Sequence, residues 1–369
     1  MAANKKHHFV PQFYLRNFGQ GGSIGLYNIK RKRHVPSASI KGQCQRDYLY
    51  GRHPAPEMAL ADLEGAAARV VADLIASGVP PPPGSIEYLR LVTFIVFQWG
   101  RTPTAGEVMD AIATKTTRAL LKTSGLVPED MRKDIDSITV QYKSSVTNSL
   151  KLAASMPHLL FDLGLKIIVN KTSTEFITSD APVVLFNQWC QGLRGMGATG
   201  LACHGLQIFL PLSATHALVF YDPAVYTVGK RRSSTIELSS AYDVVGINRL
   251  QLVAAEENLY YSGAPATAKA IDELPFQWRR SQAQAVEVHR AVEVDGNSEL
   301  IHVYHEPSDA RLNIPSIKVS KRAREIPARK RTSMYREMAL QADEIVNGPR
   351  EARYGTPPNG PRTWRIVDD

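Results

Sequence analysis

The segment His7-His8-Phe9-Val10-Pro11-Gln12-Phe13-Tyr14-Leu15-Arg16-Asn17-Phe18 places two imidazoles, two amides, a phenol and a guanidinium within a dozen residues. Imidazole exchanges protons near neutral pH, guanidinium stabilises negative charge, and amide and phenol groups can hold a polar ligand. Pro11 suits a first helical turn, where its missing N–H leaves no bond unmade, so the spacing predicts a short helix over residues 11–18. Side chains four apart share a helix face. That rule gathers His8 or its flank, Gln12 and Arg16 into one polar stripe, with Tyr14 and Phe18 as an apolar pair beside it.

A carboxylate to complete such a site is offered by Asp180, in Thr178-Ser179-Asp180-Ala181-Pro182, just past an expected strand end. In one reading His7 or His8 is a general acid/base, Arg16 and Arg101 stabilise a phosphate, and Asp180 orients an imidazole or ligates a metal. That set would suffice for metal-independent phosphodiester cleavage, and a divalent metal is the cofactor it would otherwise take. The plainer alternatives are that Asp180 caps the turn before Pro182 and that Arg101 answers a helix C-terminal dipole. Gln12, Tyr14, Asn17, Arg101 and Asn248 are the expected substrate-binding groups, joined by Lys321, Arg322 and Arg324 from a basic run near the C-terminus. Cys190 and Cys203-His204 frame a glycine-rich loop without paired-cysteine spacing, so zinc is not expected. Walker A, Rossmann, HExxH, GxSxG and kinase patterns are absent.

The opening segment resembles the start of a family catalogued as a domain of unknown function, number 4238, whose members begin His-Phe/Tyr-Val-Pro-Gln-Phe-Tyr-Leu-Arg-Phe. The same resemblance covers Arg101-Thr102-Pro103, Phe176-Ile177-Thr178-Ser179-Asp180-Ala181-Pro182-Val183, Pro211-Leu212-Ser213 and Ile247-Asn248-Arg249, across roughly residues 5–265. Its first and Ser-Asp-x-Pro motifs are specific in combination. It implies no established activity.

Composition sets wider bounds. The 369 residues can bury large cores, as two or three domains or one elaborate domain. A net charge of +9 favours polyanionic partners such as nucleic acid, with a merely basic protein as the alternative. Cys44, Cys190 and Cys203 are sparse and odd in number, which points to a reducing compartment. With no signal-peptide pattern and the most apolar helix, near residues 89–99, too short to cross a bilayer, a cytoplasmic protein with no membrane partner is expected.

The elements that would position these groups segregate along the chain. Residues 1–56 read as the motif helix and a hairpin, with strands at 24–29 and 35–40 joined by the basic turn Lys30-Arg31-Lys32-Arg33. Residues 57–160 read as a helical bundle, with helices expected at 57–76, 86–100, 105–124 and 138–155. Residues 161–310 are β-rich, with strands at 165–170, 174–178, 183–186, 206–210 and 217–221, a helix at 241–255 and a hairpin at 287–294 and 300–304. Residues 311–369 form a basic, partly disordered tail carrying a short helix near 334–346. The expected fold is therefore α+β, a helical layer packed on a mostly antiparallel sheet. Two functions follow: a nucleic-acid hydrolase of a defence or toxin type, with RNA one candidate substrate, or a non-catalytic module that binds nucleic acid or protein. Convergence of the N-terminal stripe and Asp180 on one cleft would favour the hydrolase, and separation the binding module.

Overall fold

The computed structural model describes residues 5–123, 127–191, 199–279, 284–293, 299–305, 309–326 and 364–367. The chain opens with strand β1 (Lys6–His8), helix α1 (Gln12–Arg16), the hairpin β2 (Ser23–Asn28) and β3 (Arg33–Ser39), and strand β4 (Gln45–Asp47), which pairs back on β1. Helices α2 (Ala55–Ser77), α3 (Ile86–Gly100), α4 (Pro103–Thr123) and α5 (Ser145–Ala154) follow as a layer. The strands β5 (Gly164–Asn170), β6 (Thr178–Ser179), β7 (Val184–Phe186), β8 (Gln207–Pro211), β9 (His216–Tyr221), β10 (Tyr226–Val228) and β11 (Thr235–Leu238) come next. Helix α6 (Ala241–Ala254), strand β12 (Asn258–Tyr261) and helix α7 (Pro265–Asp272) precede the hairpin β13 (Val286–Glu293) and β14 (Glu299–His305). Strand β15 (Ile317–Val319) pairs with β10, and β16 (Trp364–Val367) pairs with β13.

Two sheets carry the body. One has the order β11-β5-β9-β8-β7, the other β3-β2-β12-β6, and every pairing in both is antiparallel except that of β11 with β5. Strand alternation gives each sheet two buried faces. Ile167, Leu218, Phe220, Ile208 and Leu210 of the five-stranded sheet pack with α2 and α3, through Val71, Leu74, Leu91 and Ile95. Their neighbours Ile168, Val219, Ala217 and Phe209 face α6 and the segment around Leu312, Ile314 and Ile317. In the four-stranded sheet, Ile24, Leu26 and Tyr260 face α1, while Tyr27, Leu259 and Tyr261 face the α6 and α7 side. Helix α3 is apolar on nearly all sides and is started by Ser85, whose Oγ accepts the Tyr88 N–H.

Tyr14 joins these layers. Its hydroxyl donates to the Pro211 carbonyl in β8 at 2.5 Å and lies 2.8 Å from Thr178 Oγ1 in β6, so one side chain of α1 bonds both sheets. Burial pushes this phenol far above its ordinary value, which keeps it a proton donor throughout the physiological range. The Tyr14 and Phe18 rings lie 5.6 Å apart, as the spacing predicts.

Three details differ from the sequence reading. Helix α1 stops at Arg16, and its last turn tightens as Asn17 N and Phe18 N bond to Tyr14 O and Leu15 O. Gly19 then lets the chain pass Ser23, whose carbonyl oxygen would lie 2.2 Å from a Cβ. Helix α5 starts at Ser145 and not at 138, because α4 captures the preceding backbone. Thr114 Oγ1 bonds both the N–H and the carbonyl of Val140, and Asp110 takes Tyr142 N and Ser145 Oγ. The strand expected at 174–178 shrinks to Thr178–Ser179, because the Asn248 amide takes the Glu175 carbonyl and the Ile177 N–H. Of the basic tail, residues up to 326 are described. Arg329, Lys330, Arg331 and the helix expected at 334–346 lie outside the described residues.

Tyr14→Phe removes one donor and leaves a buried carbonyl and hydroxyl short of a partner. The expected loss is about 1–3 kcal/mol, read from urea unfolding midpoints. A loss below about 0.5 kcal/mol would show that the phenol is not the tie between the sheets.

Candidate functional site at the N-terminal motif

Strand β1 separates the two imidazoles by its pleat, since His7 pairs with Arg46 and His8 with Gln45 and successive side chains point to opposite faces. His7 is buried. Its Nδ1 accepts the Tyr50 N–H at 3.1 Å, its Nε2 lies 3.5 Å from Glu57 Oε2, and its ring stacks on Tyr50 at 5.4 Å. With Nδ1 occupied as an acceptor, the ring proton of neutral His7 sits on Nε2, facing Glu57.

His8 takes the outer face and assembles the predicted stripe. Its Nε2 lies 3.4 Å from Gln12 Nε2 and 3.2 Å from the Lys41 carbonyl, and Gln12 Oε1 accepts from the Arg16 guanidinium at 3.2 Å. One nitrogen cannot serve both neighbours at once. As N–H it donates to Lys41 O, and as a bare lone pair it accepts from Gln12, so either proton state has a partner. Asn17 caps α1 outside this stripe.

Arg101, at the end of α3, holds the motif by its main chain. Its Nε donates to the Phe9 carbonyl at 2.9 Å and to Gln98 Oε1 at 3.0 Å, its Nη1 meets Glu64 Oε1 at 2.7 Å, and Gln98 Nε2 also reaches Phe9 O. The guanidinium is 1% exposed, and its Nη2 has no hydrogen-bond partner among the described residues. Glu57 and Glu64 were not foreseen. They stand seven apart on α2, hence on one face, and each keeps about a quarter of its side chain exposed. That spacing in an alanine-rich helix is the sequence signal that could have found them.

Asp180 bonds a different set of groups. Its two oxygens accept the N–H groups of Glu256, Glu257 and Asn258 at 2.8, 2.7 and 2.9 Å, which fastens the turn between α6 and β12 to the end of β6. Burial pushes its carboxyl up to about 6, and the three N–H groups oppose that rise. Neither His8, Gln12 nor Arg16 is among its hydrogen-bond partners. The structure therefore brings His8, Gln12 and Arg16 together and sets His7 and Arg101 behind them against two glutamates. Asp180 and Asn248 instead bond main-chain groups. Lys321, Arg322 and Arg324 are exposed on a 3-10 turn at Lys321–Glu325, anchored beside β10.

Charge is distributed unevenly. Residues 1–56 contain ten lysines and arginines against the single acid Asp47, which leaves 34 basic and 34 acidic residues in the rest of the chain. The whole net charge of +9 thus belongs to the N-terminal unit. Arg16, Lys30, Arg31, Lys32, Arg33, Lys41 and Arg52 are exposed there, while Lys5 pairs with Asp47 and Arg46 with Glu257. Among the described residues no three histidine, cysteine or carboxylate side chains converge as a metal-ligand set. Cys44 gives its Sγ–H to Tyr260 Oη at 3.3 Å, and burial pushes its thiol up, away from the thiolate form a nucleophile needs. No helix among the described residues is long and apolar enough to cross a membrane.

Replacing Asp180 by Ala removes the acceptor of three part-buried N–H groups, so a loss of about 1–3 kcal/mol is expected in urea unfolding at pH 7. A loss under about 0.5 kcal/mol would mean that the turn does not need the carboxylate.

No curated protein and no solved structure matches the chain. The family model described as a protein of unknown function (DUF4238) does match it, over residues 6–264, the span that holds β1, α1, both sheets and the Asp180 turn. The chain belongs to that family.

Proposed function

We propose that this protein binds nucleic acid through its sugar-phosphate backbone, with residues 1–56 as the docking unit. The observation that carries the reading is the placement of the entire net charge on that unit, most of it on exposed side chains. Cations clustered on one small unit attract polyanions, and each neutralised phosphate releases counterions to solution. The hairpin between β2 and β3 offers four consecutive cations, Lys30 to Arg33, and α1 adds Arg16 beside His8 and Gln12.

Binding is favoured over hydrolysis at this motif because the Asp180 carboxylate is committed to three main-chain donors. The hydrolase alternative keeps His8 as the proton carrier and Arg16 as the charge stabiliser, supported by the hydrogen-bonded stripe. The setting that accompanies either reading is the cytoplasm, in keeping with three free cysteines.

The test is the salt dependence of binding to labelled duplex and single-stranded oligonucleotides. Changing Lys30, Arg31, Lys32 and Arg33 together to Gln is expected to weaken binding to all sequences alike. It should also flatten the slope of log affinity against log salt by roughly 0.7 to 0.9 per lost phosphate contact. An unchanged slope and affinity would sink the docking unit.

A further inference from the structure

His204 and Asp222 form a pair that the N-terminal motif does not use. They lie 18 residues apart in sequence and meet at the end of the five-stranded sheet, where β8 begins and β9 finishes. His204 Nδ1 stands 3.2 Å from Asp222 Oδ2, with the imidazole 18% exposed and the carboxylate 2% exposed. A buried carboxylate that accepts the Nδ1 proton leaves the lone pair on Nε2, which is the tautomer of a general base.

The support around this pair is unusually complete. Asp222 also accepts the N–H groups of Gly205 and Ala224, at 3.0 and 2.9 Å. Asn187 Nδ2 holds the His204 carbonyl at 2.7 Å, and Tyr226 Oη donates to the Gly205 carbonyl at 2.9 Å. Gly205 has a φ of +74°, and a Cβ there would lie 2.6 Å from Asn187 Oδ1, so only glycine fits beside the imidazole. Side chains locked by such bonds hold a reactive group in a fixed geometry. Gln207, at the start of β8, is fully buried, and its Nε2 has no hydrogen-bond partner among the described residues.

The C-terminal segment is fastened to the main chain just past Asp222. Ser320 N bonds the Val225 carbonyl at 2.7 Å and Ser320 Oγ bonds the Ala224 carbonyl at 3.3 Å, three and two residues past Asp222. The turn Lys321–Glu325 follows directly, with Ala323 buried and Lys321, Arg322 and Arg324 exposed. A thiol nucleophile is not indicated, since burial and the nearby Cys203 push the Cys190 thiol up.

We infer that His204, positioned by Asp222, is the general base of an RNA-cleaving site in which Lys321, Arg322 and Arg324 hold the scissile phosphate. The inference rests on the nucleic-acid reading above and adds turnover to it. His204 Nε2 takes the proton of a ribose 2′-hydroxyl, and the 2′ oxygen forms a bond to phosphorus. The bond from phosphorus to the 5′ oxygen breaks, and that oxygen leaves with the electron pair and takes a proton from water. Imidazolium returns its proton to solvent. The products are a 2′,3′-cyclic phosphate and a 5′-hydroxyl, and no other reactant is consumed.

The test compares a labelled single-stranded RNA with the all-deoxy strand of the same sequence, using the full chain. Wild type is expected to bind both and cut only the RNA, leaving cyclic phosphate ends. His204→Ala and His204→Gln should lose at least about 100-fold in kcat while binding the deoxy strand unchanged and melting within a few degrees of wild type. Asp222→Asn should lower kcat with KM unchanged, and changing Lys321, Arg322 and Arg324 to Gln should raise KM. Binding without cleavage by wild type overturns this inference and leaves the docking unit standing, whereas failure to bind either strand overturns both. Equal cleavage of the deoxy strand, or undiminished cleavage by both His204 variants, also overturns it.

Discussion

A hydroxyl buried between two sheets must find partners there, and the Tyr14 phenol finds one in each. That bond pair decides where α1 lies, and α1 in turn fixes how β1 enters and how β2 leaves. Around it, Arg101 and Gln98 take the Phe9 carbonyl. Main-chain groups in so buried a segment would each cost about 1–3 kcal/mol if left unpaired, so the motif is held by satisfaction of its polar atoms as much as by apolar contact.

The same constraint explains why so many charged residues in this region are inward. Arg101 is nearly fully buried, and two of its N–H groups are answered there, the Nε–H shared between the Phe9 carbonyl and Gln98 and an Nη1 N–H taken by Glu64. Removing one member of such a buried pair typically costs about 3–5 kcal/mol. His7 and Asp180 follow this logic, the first bonded to Tyr50 N and facing Glu57, the second capping the turn at 256–258. What is left outward is His8 with Gln12 and Arg16, together with the cations of the hairpin. Structure and charge are thereby divided between the two faces of one short unit.

Legibility in the sequence followed the range of the interactions. The His8-Gln12-Arg16 stripe, the Tyr14 and Phe18 pair, the hairpins and α2 to α4 depend on spacings of two to four residues, and each is found close to its expected place. The α+β segregation follows from the same patterns. Asp180 could not be placed by such reasoning, because its three donors come from residues 76 to 78 positions away. The start of α5 was lost to side-chain bonds from α4, and β6 to the amide of Asn248. The parallel pairing of β5 with β11 and the meeting of His204 with Asp222 likewise arise only once the sheet is assembled.

The central claim is that the bond between Tyr14 and Thr178, with its partner at Pro211, couples the motif helix to the body of the protein. A double-mutant cycle on Tyr14→Phe and Thr178→Val, read by urea unfolding, isolates that coupling. The account predicts an interaction energy of about 1 kcal/mol, with the double variant less destabilised than the sum of the single ones. Additivity within about 0.3 kcal/mol would contradict it.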